Sequence, residues 1–579
     1  MFFSDDQDRV KDLERRLSGF KQRIDNGIKL ELLQAKRGEH HANNTTIPTQ
    51  PIVLMKEDDA ILFHLGPRIS TRTRVLRCHE GTRRTLRSKI KDWSSLVSYP
   101  NILWMNGHPG AGKSTVAFQI DADLSNEKRT VFMFDFDRKS KTSTRVALCT
   151  FAYDLARAFP ACKSAIVSTL SDTTFKLGNA TTEEIFRNLI RDPLEGLHMT
   201  NSPHKPLIFI VDALDECGNL DGSANSDRKE LLAVIKDWAL LSPIFRLIVT
   251  SRAESDIRDA FGEIGHTPLE ILTGTKVTKE STSDIELYVQ DELRDIANHY
   301  KLSSECTGNG VVEDLANRAG GIFIWAVTAL KYIRGPGPET PSVRLRIVRS
   351  GTFLTGDVYA LYKEILERSF PERWQSQLFV RLASVVTAAQ SHLTPEDWAC
   401  LLNCDPSVVR YFHSMLSTVV DDGDAIRFHH QSFVDFLLGG CDSSSAGVSD
   451  NQTRCPQHFR ANIQDAERTL TRASFFLMNS ELHFNSCNIP SSYHANSTLP
   501  PQDRKKTIGP ALAYACEFWP FHIRRQTQSG VDMRWTILRF IHEKCLYWLE
   551  GLSYLGALNI AVDALNAIQQ YFITIDVSF

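Results

Sequence analysis

The sequence predicts an α/β fold, a parallel sheet with helices on both faces, followed by a region built almost entirely from helices. Short, continuous apolar runs alternate with segments of helical periodicity between residues 100 and 250. This alternation is typical of parallel sheets whose crossover helices cover both faces. From about residue 283 the apolar runs give way to helical periodicity, punctuated by Gly and Pro.

The composition of the 579 residues excludes several classes of protein. Hydrophobic residues make up 42% and charged residues 23%, as in ordinary globular domains, and the net charge of −3 indicates no polybasic surface for nucleic acid. The 12 cysteines form no CxxC pair, which argues against a zinc ribbon and fits a reducing compartment.

The longest apolar stretch, Ile322–Leu330, is far shorter than the roughly 20 residues that span a bilayer. The acidic start is not a signal peptide. We expect a cytoplasmic protein without a membrane or nucleic-acid partner.

The N-terminal part, residues 1–70, predicts one helix and a linker. Residues 8–36 carry apolar side chains at helical spacing with charged residues between them. This helix either packs on the rest of the chain or forms a short coiled coil. Residues 37–60 are polar and contain two prolines, which favours a linker. A further helix is predicted to end near Trp93.

The first strand of the predicted sheet, residues 101–105, leads into the most informative run of the chain. This run consists of Gly107, His108, Pro109, Gly110, Ala111, Gly112, Lys113, Ser114 and Thr115. It fits the phosphate-loop pattern GxxxxGK[ST] between a strand and a helix. Its glycines let several N–H groups point at one anion, and the helix adds its positive end. Lys113 supplies a charge for the β- and γ-phosphates and Ser114 a ligand for Mg²⁺. The sequence therefore predicts binding of ATP or ADP with Mg²⁺, and GTP is the alternative nucleotide.

The remaining core elements follow in the order that a parallel sheet requires. They are strand Thr130–Phe136, helix Ser143–Ala158, helix Thr181–Leu197, strand Leu207–Val211, helix Lys229–Leu241 and strand Arg246–Thr250. Ligands of such sheets bind beyond the carboxyl ends of the strands.

Two of these strands end in groups suited to nucleotide chemistry. Asp212 ends a buried strand, where a carboxylate faces the metal, and Asp215 and Glu216 are candidates to polarise an attacking water. The alternative for this acidic run is a solvated turn. Arg252 follows the next strand and suits a γ-phosphate. It is equally compatible with a helix start or a surface position.

The second half of the chain is predicted to be mostly helical. Helical periodicity covers Ile285–His299, Val311–Leu330 and Val358–Ser369, and a short strand-like run, Ala425–Phe428, precedes two histidines. A helix is predicted at 464–481, and the last 70 residues are again helical. No tandem repeat of 30–50 residues is present.

Taken together, these motifs resemble the NACHT family of STAND-class signalling NTPases, most closely the fungal type with a nephrocystin-3-like N-terminal domain. The matching segments are Cys78–Arg83, Ile102–Gly107, Asp212–Cys217, Ile248–Arg252, Ala319–Ala326 and His430–Leu437. The last segment looks like the family's HxSFxDFL in a winged-helix domain.

The resemblance implies an NTPase core at 71–270, a helical lid at 271–355, a winged-helix domain at 356–440 and a helical region at 441–579. It also implies a switch in which ADP is held closed, ATP exchange permits self-association, and hydrolysis is slow. An unknown protein effector is expected as partner. His430 is assigned to the ADP β-phosphate, and the alternative is an ordinary buried histidine.

The chain departs from the family in one respect, since such proteins usually carry a C-terminal repeat array. We therefore also consider a truncated regulator of a full-length protein, and a non-hydrolysing scaffold that keeps ADP bound. A P-loop kinase is a weaker alternative, because no acceptor-binding lid is apparent near the core.

Overall fold

The computed structural model describes most of the chain from residue 77 onward. The described residues are 58, 61–62, 65–66, 77–137, 143–200, 205–218, 226–302, 308–335, 339–351, 355–421, 423–439, 455–489, 501–526 and 533–576. The helix predicted at 8–36 and nearly all of the linker at 37–60 lie outside this part.

A five-stranded parallel sheet forms the centre of the N-terminal half, in the order β2-β3-β4-β1-β5. The strands are β1 Ile102–Gly107, β2 Val131–Asp135, β3 Leu207–Asp212, β4 Phe245–Ser251 and β5 Thr267–Ile271. The parallel α/β core is therefore confirmed. Strand β5 was not predicted, because its alternating burial and its Pro268 hide the continuous apolar run of an inner strand.

Helices cover both faces of this sheet. They are α1 Arg84–Ser95, α2 Lys113–Asn126, α3 Thr144–Ala158, α4 Pro160–Ser171, α5 Thr182–Phe186, α6 Asp192–Thr200, α7 Ser226–Trp238 and α8 Ser255–Gly262. Their ends follow the expected chemistry, since the Ser143 hydroxyl caps α3 and Thr181 forms a capping box with Glu184. The single helix predicted over Thr181–Leu197 is instead α5 and α6 joined by a π turn. Helix α4, which begins at a proline, was missed.

Successive residues of the inner strands serve two different apolar cores. Ile208 and Ile210 of β3 pack on one face with α1 and α2, whereas Phe209 and Val211 pack on the other face with α3 to α7. Because strand side chains alternate between the faces, a run buried at every position requires helices on both sides. This is the layered arrangement that the sequence predicts.

The rest of the described chain is helical. The first group comprises α9 Lys279–Tyr300, α10 Asn309–Ala319, α11 Phe323–Arg334, α12 Pro341–Ser350, α13 Val358–Ser369, α14 Arg373–Ala388, α15 Pro395–Leu402, α16 Pro406–Met415 and α17 Gln431–Leu437. The second comprises α18 Ile463–Glu481, α19 Pro501–Ile508, α20 Pro510–Arg524, α21 Arg534–Glu543, α22 Cys545–Leu555 and α23 Ile560–Asp576.

The periodic segment Val311–Leu330 is two helices rather than one. Gly320 and Gly321 both have positive φ, +54° and +82°, and separate α10 from α11. The strand-like run before the histidines forms a single antiparallel bridge, Val420 to Phe428. A winged-helix domain at 356–440 stays a prediction, as do the domain boundaries.

One apolar core connects the helices from α9 to α23. Within it lies a buried polar cluster, in which the Glu467 carboxylate contacts His522 Nδ1 at 2.5 Å and Arg525 Nε at 3.3 Å. Tyr514 Oη lies 2.8 Å from His522 Nε2. Among the residues that the structure describes, none of the helices combines the length and the apolar character needed to cross a membrane.

Candidate functional site

The phosphate loop leaves β1 and enters α2 with the geometry that its glycines allow. Gly110 and Gly112 have φ of +80° and +92°, in the left-handed region that favours glycine. A Cβ built on Gly112 meets no atom within 4 Å, so the loop has open space on that side. Ser114 and Thr115 lie in the first turn of α2, whose N-terminal N–H groups favour an anion.

The Lys113 ammonium lies against its own loop. Its Nζ donates to the carbonyl oxygens of Gly107 at 2.8 Å and His108 at 3.1 Å. Burial lowers the pKa of Lys113 to about 8, and the positive charge of Arg252 acts in the same direction while Asp215 opposes it. His108 Nδ1 donates to its neighbour's carbonyl, that of Pro109, at 2.7 Å.

Strand β4 lies between β1 and β3 and links the loop to the acidic turn. Asp212, at the end of β3, is fully buried, and its carboxylate accepts a hydrogen bond from the Thr250 hydroxyl at 2.5 Å. The same hydroxyl accepts from the Ala213 N–H at 2.9 Å. Ala213 has φ of +56°, which turns the chain so that Asp215 and Glu216 follow in one tight turn.

Arg252, directly after β4, lies between two carboxylates. Its backbone N–H donates to Asp215 Oδ1 at 3.0 Å, and its Nε lies 3.0 Å from Asp215 Oδ2. Its Nη2 lies 2.6 Å from Asp435 Oδ2 on α17. Although burial lowers the pKa of Arg252, Asp435 and Asp215 raise it above its ordinary value. Helix α8 begins only at Ser255 and the side chain is 21% exposed, so the helix-start and surface interpretations of Arg252 are wrong.

The acidic run is largely buried and is not a solvated turn. The carbonyl of Asp215 accepts from Arg228 Nη2 at 2.6 Å, and the Asp215 side chain is 5% exposed. Glu216 is half-buried, and its charge acts on both Lys113 and Arg252.

A directed chain of hydrogen bonds sets the protonation of His430, the N-cap residue of α17. Its Nδ1 accepts from the Ser432 N–H at 3.1 Å, and the Ser432 hydroxyl lies 2.7 Å away. Tyr362 Oη lies 2.9 Å from that hydroxyl. Because a backbone N–H only donates, Nδ1 carries no proton, and the neutral ring has its hydrogen on Nε2.

His430 therefore offers a donor without being charged. Burial lowers its pKa well below the ordinary value, and the positive charges of Arg252 and Lys113 and the neighbouring His429 and His108 act in the same direction. The ring lies within the field of the same cations that flank the phosphate loop. An Nε2–H donor suits a phosphate oxygen.

Arg83 joins helix α9 to the phosphate loop. Its Nη2 donates to the Ala111 carbonyl at 2.8 Å, and its Nη1 donates to Ser281 Oγ of α9 at 2.9 Å. Its backbone N–H donates to Asp284 Oδ2 at 3.0 Å, and its guanidinium lies 4.9 Å from the Phe323 ring centroid. Arg83 thus connects the phosphate loop to α9 and to the start of α11.

Helix α11 also contacts the loop directly. The Ile324 N–H donates to the Gly110 carbonyl at 3.2 Å, and a Cβ on Gly110 would lie only 2.0 Å from Ile324 Cγ2. Glycine is required here for close approach as well as for its φ.

Sequence reasoning missed three residues of this arrangement, Arg83, Thr250 and Asp435. All three stand inside motifs that the sequence shows, but their roles depend on partners far away in the chain. Only Asp435 carried a usable signal, as an acidic residue five positions after His430.

Comparisons with known proteins agree with the motifs. Residues 81–252 match the family described as Nephrocystin 3, N-terminal. The vegetative incompatibility protein HET-E-1 of Podospora anserina is 25% identical over 497 residues, covering 81% of this chain and 34% of that protein. The chain therefore spans about a third of the length of this relative.

Solved structures show a distant likeness. A Signal Transduction ATPase with Numerous Domains (STAND) protein with a tetratricopeptide repeat sensor, from Pyrococcus horikoshii, has a TM-score of 0.34 at 12% identity, covering 84% of this chain and 64% of that one. The ORC2 protein of Aeropyrum pernix, in ADPNP-ADP complexes, has a TM-score of 0.25 at 13% identity, covering 67% and 92%. Because these TM-scores are low, we assign the fold from the order and direction of the strands in this chain.

Proposed function

We propose that this chain is a nucleotide-controlled signalling switch of the NACHT type in the STAND class of NTPases. The match of residues 81–252 to the nephrocystin-3 N-terminal family and the similarity to HET-E-1 support this proposal. In this proposal the chain holds ADP while α17 lies against the core, and it exchanges ADP for ATP with Mg²⁺ bound alongside. Exchange releases the helices that cover the site and permits self-association. An effector protein of unknown identity is a further proposed partner.

One observation supports this proposal above the others. His430 at the start of α17 lies within the field of Lys113 and Arg252 of the core. Asp435 of the same helix forms an ion pair of 2.6 Å with Arg252, which joins α17 to the core. A nucleotide bound to the phosphate loop would therefore contact both halves of the chain. A ligand that contacts both sides of an interface shifts the equilibrium between its open and closed forms.

The residues present fit a nucleotide and its metal. The open space at Gly112 and the N-terminus of α2 suit a phosphate group, and Lys113 supplies the charge. Ser114 and the buried carboxylate of Asp212 are hard oxygen donors of the kind that Mg²⁺ takes, the remaining ligands being phosphate and water. When bound, the metal would neutralise charge on the phosphates.

Hydrolysis is proposed to be slow. Both carboxylate oxygens of Asp215 contact Arg252, so Glu216 is the better candidate to polarise water. The same contacts favour the second candidate function, a scaffold that retains ADP without turnover, because a carboxylate whose two oxygens contact Arg252 is less available to bind a water molecule. Measuring ATP turnover with the purified chain separates the two.

The biological role is proposed from the relative, which is named a vegetative incompatibility protein. We propose that this chain acts in a comparable nonself-recognition pathway in the cytoplasm. A nucleic-acid partner is not proposed, since the net charge of −3 supplies no general attraction to phosphate backbones.

The experiment begins with the nucleotide that remains bound to the purified protein and the mass of the particle in solution. We expect ADP and a monomer.

His430→Leu removes the Nε2 donor, and a lost hydrogen bond to a charged group costs about 1.5–3 kcal/mol, so ADP should dissociate at least tenfold faster. His429→Leu is the matched control and should release ADP at the parent rate. Equal ADP dissociation rates for the parent and His430→Leu would show that His430 does not contribute to holding ADP. A parent protein that binds neither ADP nor ATP would refute the proposed function.

A further inference from the structure

The Arg252 side chain that pairs with Asp435 also contacts a second carboxylate. The guanidinium makes contacts with two carboxylates, Asp215 on one side and Asp435 on the other, whose side chains are 5% and 13% exposed. One positive charge thus faces two negative charges in a place with little solvent screening. Glu216 adds a third negative charge that acts on Arg252.

Asp435 is held in its position by its own helix. The carboxylate accepts from Gln431 Nε2 at 3.2 Å, one turn earlier, and its other oxygen contacts Arg252. Its neighbours Val434 and Phe436 are buried, so α17 is anchored on both sides of the carboxylate. The buried neighbours therefore fix the backbone of α17 beside the core and keep the Asp435 carboxylate within reach of Arg252.

The same helix carries both a group that favours a phosphate and a group that opposes one. His430, at the N-cap, offers an N–H donor, and Asp435, near the middle of the helix, offers a negative charge against Arg252. A diphosphate held by Lys113 and His430 would not have to displace Asp435 from Arg252. A third phosphate directed at Arg252 would have to displace the carboxylate or lie beside it, and both are unfavourable.

We propose that Asp435 is a specificity-determining residue that makes the closed arrangement selective for a nucleoside diphosphate over the triphosphate. The inference rests on the proposed function, because it assumes that nucleotide binds at the phosphate loop. Binding of the triphosphate is coupled to breakage of the Arg252–Asp435 pair and hence to release of α17. By reciprocity, holding α17 closed weakens triphosphate binding by the same factor.

The test replaces Asp435 by Asn, which keeps the shape and the bond to Gln431 but removes the charge. Dissociation constants for Mg-ADP and for a non-hydrolysable Mg-ATP analogue are measured by calorimetry. We expect ADP affinity to change less than twofold and the analogue to bind about tenfold more tightly, within the usual range of coupling between two groups. Asp435→Glu, which keeps the charge, should retain most of the parent preference.

Two controls make the result specific. Glu396→Gln removes a carboxylate from an exposed pair with Arg410, 2.7 Å long, and should leave the preference unchanged. In an Arg252→Gln background the effect of Asp435→Asn should vanish, because the carboxylate acts through Arg252. Thermal unfolding of each variant confirms that it folds.

The outcomes separate this inference from the function on which it rests. If the parent binds both nucleotides and Asp435→Asn leaves their ratio unchanged, Asp435 does not determine specificity and only the inference is wrong. If the effect persists without Arg252, the carboxylate does not act through the ion pair, and the mechanism proposed here is overturned. If the parent binds neither nucleotide, the proposed function fails first.

Discussion

Raising the pH should weaken nucleotide binding through one residue, Lys113. Its ammonium lies against the loop carbonyls, and burial lowers its pKa to about 8, so this group titrates in a range where an ordinary lysine does not. Nucleotide phosphates are attracted by the charged form only. The pKa of Lys113 is therefore expected to rise when a nucleotide binds.

The size of the effect follows from the fraction of the free protein that carries the charge. With a pKa near 8, about nine-tenths of Lys113 is charged at pH 7 and about one-tenth at pH 9. Below pH 7 affinity should be nearly constant, and between pH 7 and 9 it should fall about tenfold, or about 1.4 kcal/mol. The sign is fixed because binding requires a proton that the free protein loses as the pH rises.

Neighbouring groups do not obscure this titration. The pKa of His430 is held well below its ordinary value, chiefly by burial, so the ring is already neutral at pH 7. Burial raises the pKa of the nearby Cys78 thiol to about 11, so the thiol stays protonated to pH 9. The step between pH 7 and 9 therefore reports on Lys113.

The assay is a titration of Mg-ADP at constant ionic strength over pH 7 to 9. Lys113→Arg is the control, because a guanidinium stays charged throughout and its residual affinity should show no step. Lys113→Ala should bind at least tenfold more weakly at pH 7, since a lost charged hydrogen bond costs about 1.5–3 kcal/mol. A parent affinity that stays constant across this range would refute the reasoning.

Two other expectations concern hydrolysis and the loop. Glu216→Gln keeps the shape of the side chain but loses its charge, so it should bind ATP as the parent does and hydrolyse it several-fold more slowly; undiminished turnover would exclude Glu216 and make Asp215 the next candidate. Gly110→Ala places a Cβ against Ile324, and the overpacking should lower the free energy of unfolding by about 1–3 kcal/mol more than Gly112→Ala does in the absence of nucleotide. Both glycines have positive φ, so equal unfolding midpoints would show that α11 is not seated on the loop.

Local chemistry explains what could be predicted from the sequence. The phosphate loop is contiguous, and its glycines, lysine and flanking elements act within a few residues of one another. The same holds for the alternation of apolar runs and helices, which predicts the parallel sheet because each run is buried on both faces. Helix Val358–Ser369 was predicted at its observed bounds for a similar reason, since its apolar positions recur at helical spacing.

Elements with weak local signals were missed or divided differently. Strand β5 lies at the sheet edge, where alternate residues are exposed and no continuous apolar run is needed. The periodicity across Val311–Leu330 continues through Gly320 and Gly321, although their positive φ ends one helix and precedes the next. Hydrophobic periodicity reports which side chains are buried. It does not detect a turn between two helices when the apolar side chains on both sides of the turn are buried.

Tertiary structure alone decided which groups meet at the site. Arg83 contacts Ser281, 198 residues away, and Arg252 lies between Asp215 and Asp435, which belong to different parts of the chain. No periodicity or motif spacing encodes such pairs, because their proximity is set by the strand order and by the packing of α17 against the core. The sequence by itself determined that a phosphate could be bound, since that chemistry is local. Which cation each carboxylate neutralises depends on long-range packing, because only that packing brings the charges together at a low-dielectric interface.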